Sequence, residues 1–316
     1  GPMATRPRLS DDDERDALMT IGNIRIFPIA TRTVYFDCEA AVTDEHEENA
    51  LKDPIIQQWL LDQYPHDKLT EAMNQEMDRM KEFDVFDLVN ASSLTQEQLE
   101  GAMDFTWAHR WKGTQIRSRL CVRRFKQSIV DIDETYASTP VLLIVRTLLV
   151  RAMAMNWSIF TYDITTAFLH ASLDPESDPI YVWAPSEYWP SGTTLWKLKR
   201  ACYGLRTAPR EWQDHFADEL EKMDFNRLKS DGNVYVHKHL HIIILAYVDD
   251  LMIFGELPHI QQLDEQMQKT FLIKRTGDLN DDGSEIKFLG RQIKRKDQGI
   301  LMYEDPEYYD EILDEL

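Results

Sequence analysis

The sequence predicts an α+β fold in which helices pack on one face of an antiparallel sheet. Two observations favour this fold class. Short apolar strands and amphipathic helices follow one another along the chain, and several neighbouring strands are separated only by hairpin-length turns. In addition, the 316 residues are 43% hydrophobic, which is enough for a sizeable core and for two or three subdomains.

The N-terminal half is predicted to contain a polar extension, one helix and a pair of strands. Residues 1–50 form a partly mobile extension that could hold a short strand within 31–42. Residues 53–82 carry apolar side chains at helical spacing, which predicts a helix. Around 104–125 the spacing changes to the alternation of strands. Alternation places three arginines on one sheet face: Arg117, Arg119 and Arg123.

Three helices of the rest of the chain are predicted to start at Pro140, Pro209 and Pro258, because proline suits the first helical position. Between the first two, the strand WSIFTYD (157–163) leads through a turn into a short helix at ITTAFLH. The remaining predicted strands are NVYVHK, the two segments that flank Asp249 and Asp250, and those near 272–276, 285–294 and 299–303.

The charge is strongly acidic overall and basic in two segments. A net charge of −20 taken alone argues against a polyanionic partner. However, residues 105–130 and 195–210 carry lysines and arginines and no acid. Two basic segments on an acidic body indicate a local phosphate-binding surface, and two solvated basic faces are the structural alternative.

The composition also limits the class of protein. The three cysteines, Cys38, Cys121 and Cys202, are far apart and odd in number, so we expect a reduced intracellular protein without disulfides or a zinc site. No apolar run is long enough to cross a bilayer, and no secretory signal opens the sequence, so we expect no membrane partner.

The stretch IIILAYVDDLMIFG (242–255) holds two adjacent carboxylates, Asp249 and Asp250, between apolar strands. Burying unpaired like charges is costly, and a hard divalent cation would neutralise them at the tip of a hairpin. Asp163, at the end of another apolar strand, is a third candidate. Three such carboxylates could hold two Mg²⁺ ions for phosphoryl transfer. A solvent-exposed turn and a strand-end acid are the structural alternatives.

Five ordered blocks resemble the reverse transcriptases of copia-type LTR retrotransposons, from about residue 75 to 316. They are RSRLCVRRF (117–125) with DETYASTP (133–140), DITTAFLHASL (163–173), WKLKRACYGLRTAPREW (196–212), YVDD (247–250) and KFLGRQI (287–293). The resemblance implies a right-hand polymerase with fingers mainly at 51–139, a palm at 140–300 and the start of a truncated thumb at 301–316. It also implies a return to the fingers near 172–205.

The same resemblance implies roles for individual residues. Asp163, Asp249 and Asp250, with the backbone carbonyl of Ile164, would hold two Mg²⁺ ions, which Mn²⁺ could replace. Phe168 would block a ribose 2′-hydroxyl. The residues implied to bind the dNTP are Arg117, Arg119, Arg123, Thr165, Thr166, Ala167, Phe168, Tyr203 and Gly204. The implied primer grip is Phe288, Leu289 and Gly290.

The implied function is RNA-directed and DNA-directed DNA synthesis on an RNA or DNA template-primer, in a cytoplasmic retrotransposon particle or in the nucleus. Departures from the family pattern at Thr165, Arg124 and Thr207, and at His170 with Ala171, leave the implied metal ligands intact. Two other functions stay open from the sequence. One is a catalytically silent palm that binds nucleic acid or protein, and the other is an RNA-dependent RNA polymerase.

Overall fold

A computed structural model describes residues 20–21, 24–25, 64–123, 140–297 and 299–304. The chain divides into two compact units. Unit 1 comprises residues 1–128 and 178–205, and unit 2 comprises residues 129–177 and 206–316. The described parts of both units mix helices with antiparallel strands, which confirms the α+β class.

The element bounds, in chain order, are as follows. The helices are α1 (His66–Glu82), α2 (Gln96–Gly101), α3 (Leu142–Ala154), α4 (Ala167–His170), α5 (Ala208–Lys222) and α6 (Leu257–Thr270), with a 3₁₀ turn at Ala91–Ser93. The first strands are β1 (Thr20–Ile21), β2 (Ile24–Arg25), β3 (Phe86–Asn90), β4 (Phe105–Lys112), β5 (Gln115–Val122), β6 (Ser158–Ile164), β7 (Tyr181–Trp183) and β8 (Thr194–Leu198). The later strands are β9 (Phe225–Arg227), β10 (Val234–His237), β11 (Ile242–Tyr247), β12 (Asp250–Gly255), β13 (Ile273–Asp278), β14 (Glu285–Phe288), β15 (Arg291–Lys296) and β16 (Gly299–Glu304).

Several predicted features lie outside the described residues. They are the strand within 31–42, the first part of the helix at 53–82, Arg124 and the segment from 305 onward. No helix of the described residues is long and apolar enough to cross a membrane.

Unit 1 contains a hairpin, a small sheet and the helix α1. Strands β4 and β5 pair over their whole length, and β3, β8 and β7 form a three-stranded sheet. Helix α1 buries Leu69, Met77 and Met80 on one face, in keeping with the apolar spacing of its sequence. The buried side chains of Ile116 on β5 and Leu69 on α1 belong to one apolar cluster. Helix α1 therefore packs against the face of the β4–β5 hairpin that carries Ile116.

Unit 2 contains a six-stranded antiparallel sheet with the strand order β13-β6-β12-β11-β10-β9. The central strands β6, β12 and β11 are continuous apolar runs and are buried along nearly their whole length. Strands with this composition need cover on both faces. Helix α3 packs on the face that carries Ile159 and Phe254, and Phe216 of α5 meets Tyr235 on the opposite face. The prediction that helices pack on one face only is therefore wrong for this sheet.

The predicted strand at 285–294 is two strands, β14 and β15, joined by Leu289 and Gly290. Both joining residues have positive φ, 51° and 68°, as two-residue hairpin turns of type I′ require. Strand β16 pairs with β15 to complete a three-stranded sheet, and Ile286 and Ile293 of this sheet join the core below α3. Sequence alternation missed the turn because leucine gives no signal for a left-handed backbone.

Candidate active site

Three aspartates meet at one edge of the six-stranded sheet. Strands β11 and β12 form a hairpin in which Tyr247 pairs with Asp250, so Val248 and Asp249 make up the two-residue loop. Strand β12 also pairs with β6, and this register places Asp250 directly opposite Asp163. Directly opposite residues of an antiparallel pair project from the same sheet face. The fold therefore brings together the carboxylates that the sequence separates by more than eighty residues.

The negative charges of the three aspartates at this edge are not balanced by nearby positive charges. Desolvation, followed by repulsion from Asp249 and Asp163, raises the pKa of Asp250 to about 6. Asp250 as a whole residue is exposed, although its carboxyl is partly desolvated, and Asp163 and Asp249 are half-buried, so a cation from solvent can reach the group. Lys274 on β13 lies opposite Asp163 on the side away from Asp250 and supplies one positive charge. The three carboxylates would be stabilised by a further cation.

The three carboxylates fit a hard divalent ion that takes only some of its ligands from the protein and the others from water and a bound substrate. Among the residues that the structure describes, no three His, Cys, Asp or Glu side chains form a preassembled metal cluster. Mg²⁺ in nucleotide sites commonly takes only one or two carboxylates and completes its octahedron with water and phosphate oxygens. Carboxylate oxygens at one sheet edge suit that mode of binding.

The backbone of the hairpin loop is held from two sides. The Ile164 N–H donates to the Asp249 carbonyl at 2.8 Å, and the Trp212 indole N–H donates to the Val248 carbonyl at 2.7 Å. Val248 has φ 52°, a left-handed conformation that is uncommon for a β-branched residue. The apolar spacing of α5 indicates a core position for Trp212 and gives no signal of its bond to the hairpin.

The predicted triphosphate loop follows β6. Thr166 has φ 56° and lies at the N-terminus of α4, where its hydroxyl donates to the Thr165 carbonyl at 2.7 Å. The Thr165 amide donates to the Leu272 carbonyl at 2.8 Å, so this amide already has a partner. Ala167 is buried and Phe168 is half-buried. The roles predicted for these four residues and for the Ile164 carbonyl stay predictions.

The predicted arginine face belongs to unit 1. Arg117 and Arg119 project from the same face of β5, and Arg123 follows the end of that strand. The Arg119 guanidinium stacks over the Tyr203 ring at 4.5 Å from its centroid. The buried carboxylate of Glu76 attracts Arg119, and burial raises the pKa of Glu76 above its usual range. Sequence reasoning did not single out Glu76, because one acid on an amphipathic helix gives no signal of burial.

Tyr203 and Gly204 lie close to the end of β5. The Val122 N–H donates to the Tyr203 carbonyl at 2.7 Å, and Gly204 has φ 90°. A Cβ on Gly204 would lie 2.1 Å from the Val122 carbonyl oxygen, so only glycine fits there. The predicted primer grip in unit 2 is the tight turn described above, in which Phe288 is buried and Leu289 and Gly290 form the loop.

Known proteins resemble this chain over much of its length. Residues 83–316 match the profile of the family described as reverse transcriptase (RNA-dependent DNA polymerase). The retrovirus-related Pol polyprotein from transposon TNT 1-94 of Nicotiana tabacum is 27% identical over 268 residues, which is 81% of this chain and 19% of that protein. The corresponding polyproteins from transposons RE2 and RE1 of Arabidopsis thaliana are 28% and 29% identical, each over 58% of this chain and 12% of the relative. The chain thus spans about a fifth or less of these relatives.

Proposed function

Because the chain belongs to the reverse transcriptase (RNA-dependent DNA polymerase) family, we propose that it extends a primer along an RNA or DNA template, using dNTPs and two Mg²⁺ ions. The observation that carries the proposal is the register of β6 and β12, which sets Asp163 opposite Asp250 beside the Asp249 loop. As in its copia-type relatives, the activity would belong to an LTR retrotransposon. Mn²⁺ could replace Mg²⁺ because both accept carboxylate oxygens.

In the proposed reaction the 3′-hydroxyl of the primer loses its proton to solvent water and attacks the α-phosphorus of the dNTP in line. The new O–P bond forms as the bond from the α-phosphorus to its bridging oxygen breaks, and pyrophosphate leaves. Asp163, Asp249 and Asp250 would hold the metals, together with the Ile164 carbonyl, and Asp250 would lie on the side of the primer terminus. The bound metals would lower the pKa of the hydroxyl and offset the charge that develops on phosphate.

The other assignments follow from the family and from the chemistry of each group. In this proposal unit 1 corresponds mainly to the fingers and unit 2 to the palm. Guanidinium groups suit phosphate oxygens, so Arg117, Arg119 and Arg123 are proposed to bind the triphosphate. Phe168 would exclude a ribose 2′-hydroxyl, Tyr203 and Gly204 would lie against the new base pair, and the turn at Phe288–Gly290 would hold the primer. The site of action would be a cytoplasmic particle or the nucleus.

Primer extension tests the proposal directly. The purified protein is offered poly(rA)/oligo(dT) with dTTP and Mg²⁺ or Mn²⁺, beside Asp163→Asn and Asp249→Asn. The matched control is Asp218→Asn, which removes one charge from the exposed side of α5. We expect extension by the wild type and by the control, and none by the two active-site variants at unchanged melting temperature. Extension by either active-site variant would refute the metal-ligand assignment.

An inactive wild type would favour the other function that the sequence left open, a palm that binds without turnover. Offering rNTPs beside dNTPs distinguishes the polymerase classes, because an RNA polymerase would prefer the ribonucleotide. The half-buried Phe168 leads us to expect preference for dNTPs.

A further inference from the structure

The hairpin that carries Asp249 contains a conformation that its sequence does not favour. In the two-residue loop only Val248, the first residue, has a positive φ. Two-residue hairpins with this pattern place glycine at that position, because a side chain there is strained. Valine is worse than most residues, since its Cβ is branched. An additional contact must therefore hold the loop in this conformation.

That contact is made by Trp212 of α5. Its indole N–H donates to the Val248 carbonyl at 2.7 Å. The indole is only 2% exposed, and the ring is packed against Phe216 and Phe271 at centroid distances of 5.4 and 5.8 Å. A donor fixed by rings on two sides cannot follow a moving acceptor. The bond therefore fixes the position of the Val248 carbonyl, in addition to giving the buried indole N–H an acceptor.

A second bond completes the restraint. The Val248 carbonyl belongs to the peptide unit that enters Asp249, and the Asp249 carbonyl belongs to the unit that leaves it. The second carbonyl accepts from the Ile164 N–H at 2.8 Å. When both peptide planes that flank a residue are oriented, φ and ψ of that residue are fixed, and so is the direction of its Cα–Cβ bond. The Cα–Cβ bond of Asp249, from which the carboxylate projects, is thus aimed by one contact from β6 and one from α5.

We infer that Trp212 is a positioning residue, which directs the Asp249 carboxylate through its hydrogen bond to the Val248 carbonyl. The inference rests on the proposed function for its catalytic consequence, but the restraint itself is a property of the fold. A pocket lined by Trp212, Tyr235, Ala246 and Val248 lies behind the hairpin. Val248 therefore borders a space that is large enough for about one water molecule.

Trp212→Phe tests the inference because it keeps an aromatic ring and removes the N–H. The matched control is Trp157→Phe, which truncates another buried indole of unit 2 that packs in the core below α3. Hydrogen exchange of the peptide spanning 247–251 is measured for both variants, together with kcat, the KM for dTTP and the Mg²⁺ concentration at half-maximal extension. Loss of one well-placed hydrogen bond corresponds to about a tenfold effect.

We expect Trp212→Phe to speed exchange in the hairpin, to lower kcat about tenfold and to raise the half-maximal Mg²⁺ concentration, with little change in KM. Trp157→Phe should change the melting temperature without these effects. Unchanged hairpin exchange in Trp212→Phe, or equal changes in both variants, would overturn the inference. An inactive wild type would refute the proposed function, whereas the exchange comparison would still decide whether Trp212 restrains the loop.

Discussion

Gly204→Ala is expected to destabilise unit 1 strongly, and the reason lies in two separate features of that position. The backbone has φ 90°, so any L side chain is strained there. In addition, the new Cβ would lie 2.1 Å from the Val122 carbonyl oxygen and 2.7 Å from its nitrogen. These are backbone atoms at the end of β5, and they cannot turn away as a flexible side chain would.

The two contributions can be added. Placing alanine in a left-handed conformation costs about 1–2 kcal/mol. Relieving the clash requires Val122 and Gly204 to separate, which breaks the 2.7 Å bond from the Val122 N–H to the Tyr203 carbonyl and costs about 1 kcal/mol more. We therefore expect a loss of about 3 kcal/mol in the free energy of unfolding. Activity would fall with stability, so lost extension alone would not show that Gly204 binds nucleotide.

Two other glycines of unit 1 provide the controls. Gly113 has φ 62° but nothing within 4 Å of its Cβ position. Gly113→Ala should therefore lower the free energy of unfolding only by the cost of the left-handed backbone, about 1–2 kcal/mol. Gly101 lies in α2 with open space around its Cβ position. Gly101→Ala should raise the free energy of unfolding by up to about 1 kcal/mol. The assay is the urea midpoint of hydrogen exchange in β5, which reports on unit 1. A Gly204→Ala variant no less stable than Gly113→Ala would refute the steric argument.

Three further predictions use other sites. Burial lowers the pKa of His109 to about 4, so the free energy of unfolding should fall as pH drops from 6.5 to 4. In acid unfolding curves, this fall should be about 2 kcal/mol smaller for His109→Gln than for the wild type. Desolvation and neighbouring carboxylates raise the pKa of Asp250 to about 6, so the metal-free protein loses stability as pH rises from 3.8 through 6. Asp250→Asn should therefore raise stability in EDTA at pH 7.5 by about 1 kcal/mol after solvent screening, and should reduce the thermal shift caused by Mg²⁺. Phe168→Val should raise rNTP incorporation about tenfold relative to dNTP, and unchanged selectivity would contradict its proposed role.

Much of the fold was predictable because each local signal agreed with its tertiary environment. Apolar runs marked β11 and β12, and a double aspartate between them marked the hairpin end of the sheet. The placement of helices on both sheet faces was also implied by these runs, since a one-sided sheet would alternate polar and apolar residues. The prediction that helices pack on one face was therefore wrong for this sheet.

Other features could not be read from the sequence because they depend on contacts between distant residues. Trp212 and Val248 lie 36 positions apart, and nothing local to either residue indicates the bond. Lys274 comes opposite Asp163 in a register that shifts between Arg275 and Gly277. Glu76 is only 1% exposed, although the apolar and polar residues of α1 follow the usual spacing of an amphipathic helix and do not mark this acid as buried. Register and burial of this kind require the assembled structure.

The interleaving of the two units along the chain has a consequence for synthesis. Strand β3 leaves the ribosome early, but its partner β8 belongs to the returning segment 178–205 and emerges only after the first part of unit 2. Unit 1 therefore cannot be completed during synthesis until residue 205 and the first part of unit 2 have emerged. A fragment that ends near residue 128 would lack both β7 and β8, so dissecting the protein requires an internal fusion that joins the two segments of unit 1.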